Sequence, residues 1–244
     1  MRRLVLLLLA SIVLALTGVA GAASTDPQIR IEPVDQAWAN SIVLVPADLG
    51  KGWKAEPMDE RAPSSDDSSD DSTWCAEGIP NRSDLIATGG ASSPDFTRSD
   101  NSSVSSYSIV WQTPEQAQAE WDRTVTRMPA FINCLAAVFN GGPRAAKLVV
   151  TAKGSLAFPA VTSRTAAYRI KIAYEQTVRV KKKRKQKRSP FANFDYILFG
   201  NGRASVTLIV LSFNPKPLSA SYERSLAEKM AARMATDPAA TPEP

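Results

Sequence analysis

Thr165-Ala166-Ala167-Tyr168-Arg169-Ile170-Lys171-Ile172-Ala173-Tyr174-Glu175-Gln176-Thr177-Val178-Arg179-Val180 alternates with a period of two along most of its length. Ala166, Tyr168, Ile170, Ile172, Tyr174 and Val178 fall on one side of an extended chain, and Thr165, Arg169, Lys171, Glu175, Thr177 and Arg179 on the other. A β-strand sends successive side chains to opposite faces, so the segment predicts a long antiparallel strand with one apolar and one wet face. Phe191 to Phe199 and Arg203 to Phe213 read as two more strands, joined across Gly200-Asn201-Gly202, where Asn and Gly tolerate the positive φ of a tight turn. The last of them is apolar at Val206, Leu208, Ile209, Val210 and Leu211, hence on both faces, which predicts a central position.

Working back toward the N-terminus, Leu85 to Ala91, Val104 to Trp111 and Lys147 to Lys153 also read as strands. Thr113-Pro114-Glu115-Gln116 starts a helix, with Thr as N-cap, Pro in the first turn and Gln at the capping-box position. Ala117, Trp121, Val125 and Met128 share a stripe; Pro129 is expected to interrupt it, leaving a second helical piece with Phe131, Ile132, Cys134, Leu135 and Val138. Val34, Ala37, Trp38, Ile42 and Val45 recur at helical spacing up to Pro46, Pro46 to Gly50 suggests one further turn, and Tyr222, Leu226, Met230 and Met234 align on a last helix. The expected fold is α+β: one domain over residues 34–236, an antiparallel sheet of five or six strands with helices packed on one face.

The ends read differently. Met1-Arg2-Arg3, an uncharged run from Leu4 to Leu16 and small residues at Ala20 and Ala22 predict a signal peptide over residues 1–22. An uncleaved membrane anchor is the alternative, since Leu4 to Ala23 is long enough to span a bilayer. Residues 23–33 are expected to form a tether, and residues 237–244, rich in Pro and Ala, a disordered tail. Export places the domain outside the cytoplasm, secreted or associated with the cell envelope. There the two cysteines, Cys75 and Cys134, read as one disulfide, with two buried thiols as the alternative.

Charge concentrates in two segments. The chain has 29 basic and 24 acidic residues. Setting aside Arg2, Arg3, the acidic stretch Asp59 to Asp71 and the basic stretch Arg179 to Arg188 leaves 18 of each sign, so the body is neutral. The acidic segment, residues 59–73, is rich in Ser and Asp and predicts a disordered loop; Asp66 to Asp71 lacks the Gly and terminal Glu of an EF-hand loop. Arg179, Lys181, Lys182, Lys183, Arg184, Lys185, Lys187 and Arg188 are candidate anion-binding residues, placed on a hairpin tip over residues 181–190. Anionic lipid or a cell-envelope polymer are the partners such a run would attract, and a purely solubilising loop is the alternative. No aromatic residue interleaves the run to stack bases, so no specific nucleic acid is expected.

Histidine is absent from the whole chain, which removes Ser-His-Asp and Cys-His activation and His-ligated metals. The Ser-to-Lys spacings Ser212 to Lys216 and Ser225 to Lys229 are one residue too long for a Ser-x-x-Lys dyad, and no phosphate-cradling glycine motif occurs. No cofactor is expected. Carboxylate-pair hydrolysis is the one enzymatic alternative, with Asp48, Glu56, Asp95, Glu175 and Asp195 available. Trp38, Trp53, Trp74, Trp111 and Trp121 are accounted for first by core packing and second by a binding cleft.

Pro46-Ala47-Asp48-Leu49 with Gly52-Trp53, then Cys75, Ser83-Asp84-Leu85, Thr88-Gly89, Ser105, Tyr107, Gln116 to Trp121 and Cys134-Leu135 resemble exported actinobacterial proteins of the PknH-like extracellular sensor domain family. The resemblance spans roughly residues 40 to 235. It implies an α+β sensor or ligand-binding module with a cleft and no catalysis. Such domains often carry two disulfides where this chain has cysteines for one, and no ligand-binding residue is carried over.

Overall fold

The computed structural model describes residues 26–56, 80–141, 147–180, 183–213 and 217–238. The expected signal peptide, the acidic segment, Cys75, Trp74, Lys181 and Lys182 lie outside them. The elements are, in order, β1 (Gln28–Ile29), α1 (Pro33–Ile42), α2 (Pro46–Leu49), β2 (Trp53–Glu56), β3 (Ile86–Ser92), β4 (Asp95–Arg98), β5 (Ser102–Trp111), α3 (Pro114–Gly141), β6 (Lys147–Ser155), β7 (Arg164–Val180), β8 (Lys183–Asn201), β9 (Ala204–Ser212) and α4 (Ala220–Met234).

These strands form one sheet in the order β1-β3-β5-β9-β8-β7-β6, with β4 pairing β5 and β2 to one side. The six antiparallel strands expected from sequence are β3 and β5 to β9; three short ones, β1, β2 and β4, bring the sheet to nine. β1 lies inside the expected tether and pairs parallel with β3, Gln28 opposite Ile86 and Ile29 opposite Ala87. Two residues are too few for a period to show. β9 is central, flanked by β5 and β8 as its two-sided apolar composition requires.

Helices cover both faces of the sheet, not one. On β8, Ile197 and Phe199 pack with Trp38, Ala39 and Ile42 of α1 and Leu226, Ala227 and Met230 of α4. Leu198 between them points the other way, into a cluster with Met128 and Ile132 of α3 and Tyr168, Ile170 and Ile172 of β7. α3 runs unbroken through Pro129. Met128, Ile132 and Ala136, on either side of that proline, are all buried, and their packing outweighs the roughly 3 kcal/mol that an interior proline costs a helix. Thr113 does cap it, accepting from Gln116 N at 3.3 Å, but Gln116 Oε1 reaches across to accept from Ile86 N at 2.9 Å instead of closing a capping box.

The chain termini of the domain are tied by Arg203, just after the β8–β9 turn. Its guanidinium grips Asp35 of α1 through two 2.8 Å bonds and Asp237 through bonds of 2.8 and 3.1 Å, and lies 5.5 Å above the Trp38 ring. Hydrogen bonding from Arg203 holds the Asp35 carboxyl below its ordinary range. Asp237, placed by sequence at the head of the tail, is therefore anchored.

α1 approaches β3 so closely that a Cβ at Gly89 would stand 2.5 Å from the Asp35 carbonyl oxygen and 2.9 Å from Gln36 N. Both are backbone atoms and cannot swing aside. Gly90 next to it meets nothing nearer than Ser108 O at 3.8 Å. Gly89→Ala is expected to destabilise the domain by about 1–3 kcal/mol in urea unfolding, while Gly90→Ala stays within about 1 kcal/mol of the native chain. Equal effects of the two would contradict this packing.

Candidate functional site

β7 and β8 outrun their neighbours. β6 pairs with β7 as far as Glu175, opposite Lys147, and β9 follows β8 only to Asn193, opposite Ser212. Beyond that point β7 and β8 continue alone, from Gln176 opposite Lys187 to Val180 opposite Lys183. The basic run was expected at a hairpin tip over residues 181–190. Instead the ladder includes Lys183 to Pro190, and residues 181–182 lie outside the described residues. The basic residues are strand residues because the alternation of β7 continues to Val180 and its partner must extend as far. Arg179, Lys183, Arg184, Lys185 and Lys187 thus lie on a two-stranded ribbon, and Arg188 at its base.

Arg188 Nε donates to Glu175 Oε1 at 2.9 Å; the arginine side chain keeps 63% of its exposure and the glutamate 6%. Glu175, read from sequence as a solvated charge, is an ion-pair partner. Beside this pair, Lys171, Arg188, Pro190, Asn193 and Pro217 line a cleft of about 350 Å³. Two of its lining residues, Lys171 and Asn193, end a polar row that crosses the sheet in register: Ser102 opposite Ser212, Ser212 opposite Asn193, Asn193 opposite Lys171. Ser212 is 1% exposed, and among the described residues its hydroxyl has no hydrogen-bond partner.

One step further into the body, the cross-strand pair Arg169 and Asp195 passes beneath α4. Arg169 donates through Nε and Nη2 to the two Asp195 oxygens, each at 2.5 Å. Glu223 of α4 is fully buried above them, with Arg169 Nη2 at 3.8 Å and, among the described residues, no hydrogen-bond partner on either carboxyl oxygen. Burial pushes the Glu223 carboxyl up to about 8, and the negative Asp195 beside it adds to the rise. The face of β7 expected to be wet is, at Arg169, a sealed ionic layer.

The other candidate carboxylates lie apart. Asp48 accepts from Val45 N at 3.0 Å and from Arg233 of α4. Glu56 accepts from Thr97 at 2.9 Å and faces exposed Asp95 across β2 and β4. Among the described residues no three His, Cys, Asp or Glu side chains converge as a metal site requires, and no helix is long and apolar enough to cross a membrane. Trp38 and Trp111 are buried in the core, and Trp53 stacks on Tyr222 with ring centroids 6.1 Å apart. Sequence reading missed Arg169, Glu223, Asp35 and Arg203. Glu223 stands next to the stripe position Tyr222, and a charge at a core-facing helical position was the signal available.

The chain is similar to the crystal structure of the extracellular domain of PknH from Mycobacterium tuberculosis, with 10% sequence identity and a TM-score of 0.45, covering 83% of this chain and 97% of that one. No protein-family model matches the chain, and no curated protein matches it.

The buried carboxyl has a measurable consequence. Glu223 ionises near 4.5 when the chain is unfolded but only at about 8 when folded, so stability is full below the lower value and falls as pH rises through the higher. Glu223→Gln keeps the shape of the neutral acid and removes that slope. Calorimetric melting temperatures are expected to agree between variant and native chain at about pH 4, and to be higher in the variant at about pH 9. The same alkaline decline in both would contradict the assignment.

Proposed function

We propose that this chain is an exported, non-enzymatic binding domain of the sensor-like kind, and that it meets an anionic component of the cell envelope through the β7–β8 ribbon and the cleft at its base. The observation that carries the reading is the ribbon itself. Eight basic residues fall between Arg179 and Arg188, and six of them, Arg179, Lys183, Arg184, Lys185, Lys187 and Arg188, lie on the β7–β8 ladder, while outside this run, the acidic stretch and the two N-terminal arginines the charges balance. Each such charge contributes up to about 1 kcal/mol near an anionic surface.

Non-enzymatic binding is favoured by what occupies the carboxylates. Asp48, Glu175 and Asp195 are each paired with an arginine, and Glu56 accepts a hydrogen bond from Thr97, so these four carboxylates are engaged in structural contacts. Export rests on the N-terminal apolar run with its small residues, and it accords with pairing of Cys134 with Cys75: among the described residues no cysteine is free.

Two measurements test the reading. The full mature chain should co-sediment with purified cell envelope or with vesicles rich in phosphatidylglycerol, and should be released as salt screens the charges over a Debye length of about 10 Å or less. Replacing residues 181–188 by a short turn should abolish retention; unchanged retention would overturn the role of the ribbon. The intact mass of the exported form should begin after Ala22 or Ala23 and increase by two hydrogens on reduction. A mass unchanged by reduction would rule out the disulfide.

A further inference from the structure

Ile29, Ile31 and Val34 are 68%, 52% and 58% exposed. Among the described residues only six large apolar side chains are exposed, and these three fall in one six-residue stretch at the start of the domain. The main chain fixes them there. Gln28 N, Arg30 N and Glu32 N donate to the carbonyls of Leu85, Ala87 and Thr88, each at 2.9 Å, so residues 29 and 31 fall on one side of an extended segment. Ile29 and Ile31 line a cleft of about 200 Å³ with Tyr107 and Ile109 of β5. Pro33 then starts α1, and Val34 lines a second cleft, of about 490 Å³, with Ala37 and Trp38.

Neither cleft is lined by a charged residue. The edge of β3 beside them is closed to a further strand, because Gln36 Nε2 donates to Gly90 O at 2.7 Å and Gln36 Oε1 accepts from Gly90 N at 3.3 Å. The surface thus suits an apolar partner that asks for no directed hydrogen bonds.

What lies opposite is set by where the chain comes from. The apolar N-terminal stretch, Leu4 to Ala23, ends six residues before Ile29, and six residues span about 20 Å at full extension. While that stretch lies in a bilayer, in transit or as an anchor, the patch is confined within that distance of the lipid. A small apolar surface so confined meets its partner at a high effective concentration.

We propose, resting on the export read from residues 1–22, that Ile29, Ile31 and Val34 form a seat on the outer face of the membrane that the chain crosses, burying their side chains at the boundary between headgroups and acyl chains. Between Pro27 and Val34 the charges are Arg30 and Glu32, one of each sign, so the seat takes a lipid surface without net charge. In this it differs from the β7–β8 ribbon, whose attraction is electrostatic and is screened by salt.

The test sediments the mature chain with phosphatidylcholine vesicles at about 0.5 M salt, where a Debye length of about 4 Å silences the ribbon. The native chain should bind. The triple variant Ile29→Ser, Ile31→Ser and Val34→Ser should lower the partition coefficient about tenfold or more, since binding of this kind scales with the apolar area buried. The double variant Val45→Ser and Phe213→Ser, which removes exposed apolar groups elsewhere, should lower it less than about twofold. Losses of equal size in the two variants would overturn the seat. Retention on phosphatidylglycerol vesicles at low salt with none on phosphatidylcholine would also overturn it, while leaving the role of the ribbon standing; retention on neither would overturn both. A concentration-dependent dimer that the triple variant abolishes, without vesicle binding, would give the patch to a second copy of the chain and overturn the lipid assignment. Circular dichroism of each variant checks that the sheet is kept.

Discussion

Coverage of the sheet on both faces is the constraint from which the remaining features follow. β9 has apolar residues at both parities, and in an α+β domain such a strand is stable only if a layer is laid over each side. α3 covers one face and α1 with α4 the other. Any charged residue on the covered strands must then be paired in place. Arg169, Asp195 and Glu223 are the result beneath α4, and Arg203 with Asp35 and Asp237 the result at the opposite edge of the helical layer. The two networks differ in balance. Arg203 faces two carboxylates that it neutralises through a full set of bonds, whereas Arg169 satisfies Asp195 and leaves Glu223 to remain neutral. A buried carboxylic acid beside a carboxylate is costly to ionise, so the layer favours the protonated form of Glu223.

The same constraint explains where the ribbon begins. Cover from α4 ends at its N-terminus, Ala220, and pairing from β6 and β9 ends at Glu175 and Asn193. β8 changes composition there, from Phe194, Tyr196 and Ile197 within the body to Lys183, Arg184, Lys185 and Lys187 beyond it. The cleft with Lys171, Arg188 and Asn193 lies on this boundary. It lies where the helical layer stops short of the sheet's edge.

Period-two alternation made the six main strands legible, since each is long enough for the pattern to repeat. It could not reveal β1, two residues long, or β2 and β4, four each. Helices on both faces could have been inferred from β9, whose Ile209 and Leu211 require cover opposite that of Val206 and Val210. The continuity of α3 through Pro129 could not, because local propensity argues against it and only packing at Met128 and Ile132 overrides. The basic run was visible as composition, but its place on a paired ladder depends on register, which a single strand does not encode. Asp195 was visible and Arg169 was not singled out: their partnership joins residues 26 apart through a hairpin whose turn position fixes the match.

An isolated two-stranded ribbon is marginal in water, and one that opposes Arg179 to Arg184 more so. Its base, by contrast, is tied to the body through Glu175 and Arg188 and through the continuous ladder to Arg169 and Asp195. Two cross-strand ion pairs, Arg169 with Asp195 and Glu175 with Arg188, thus hold β7 to β8 on either side of the register shift, where the ladder leaves the body.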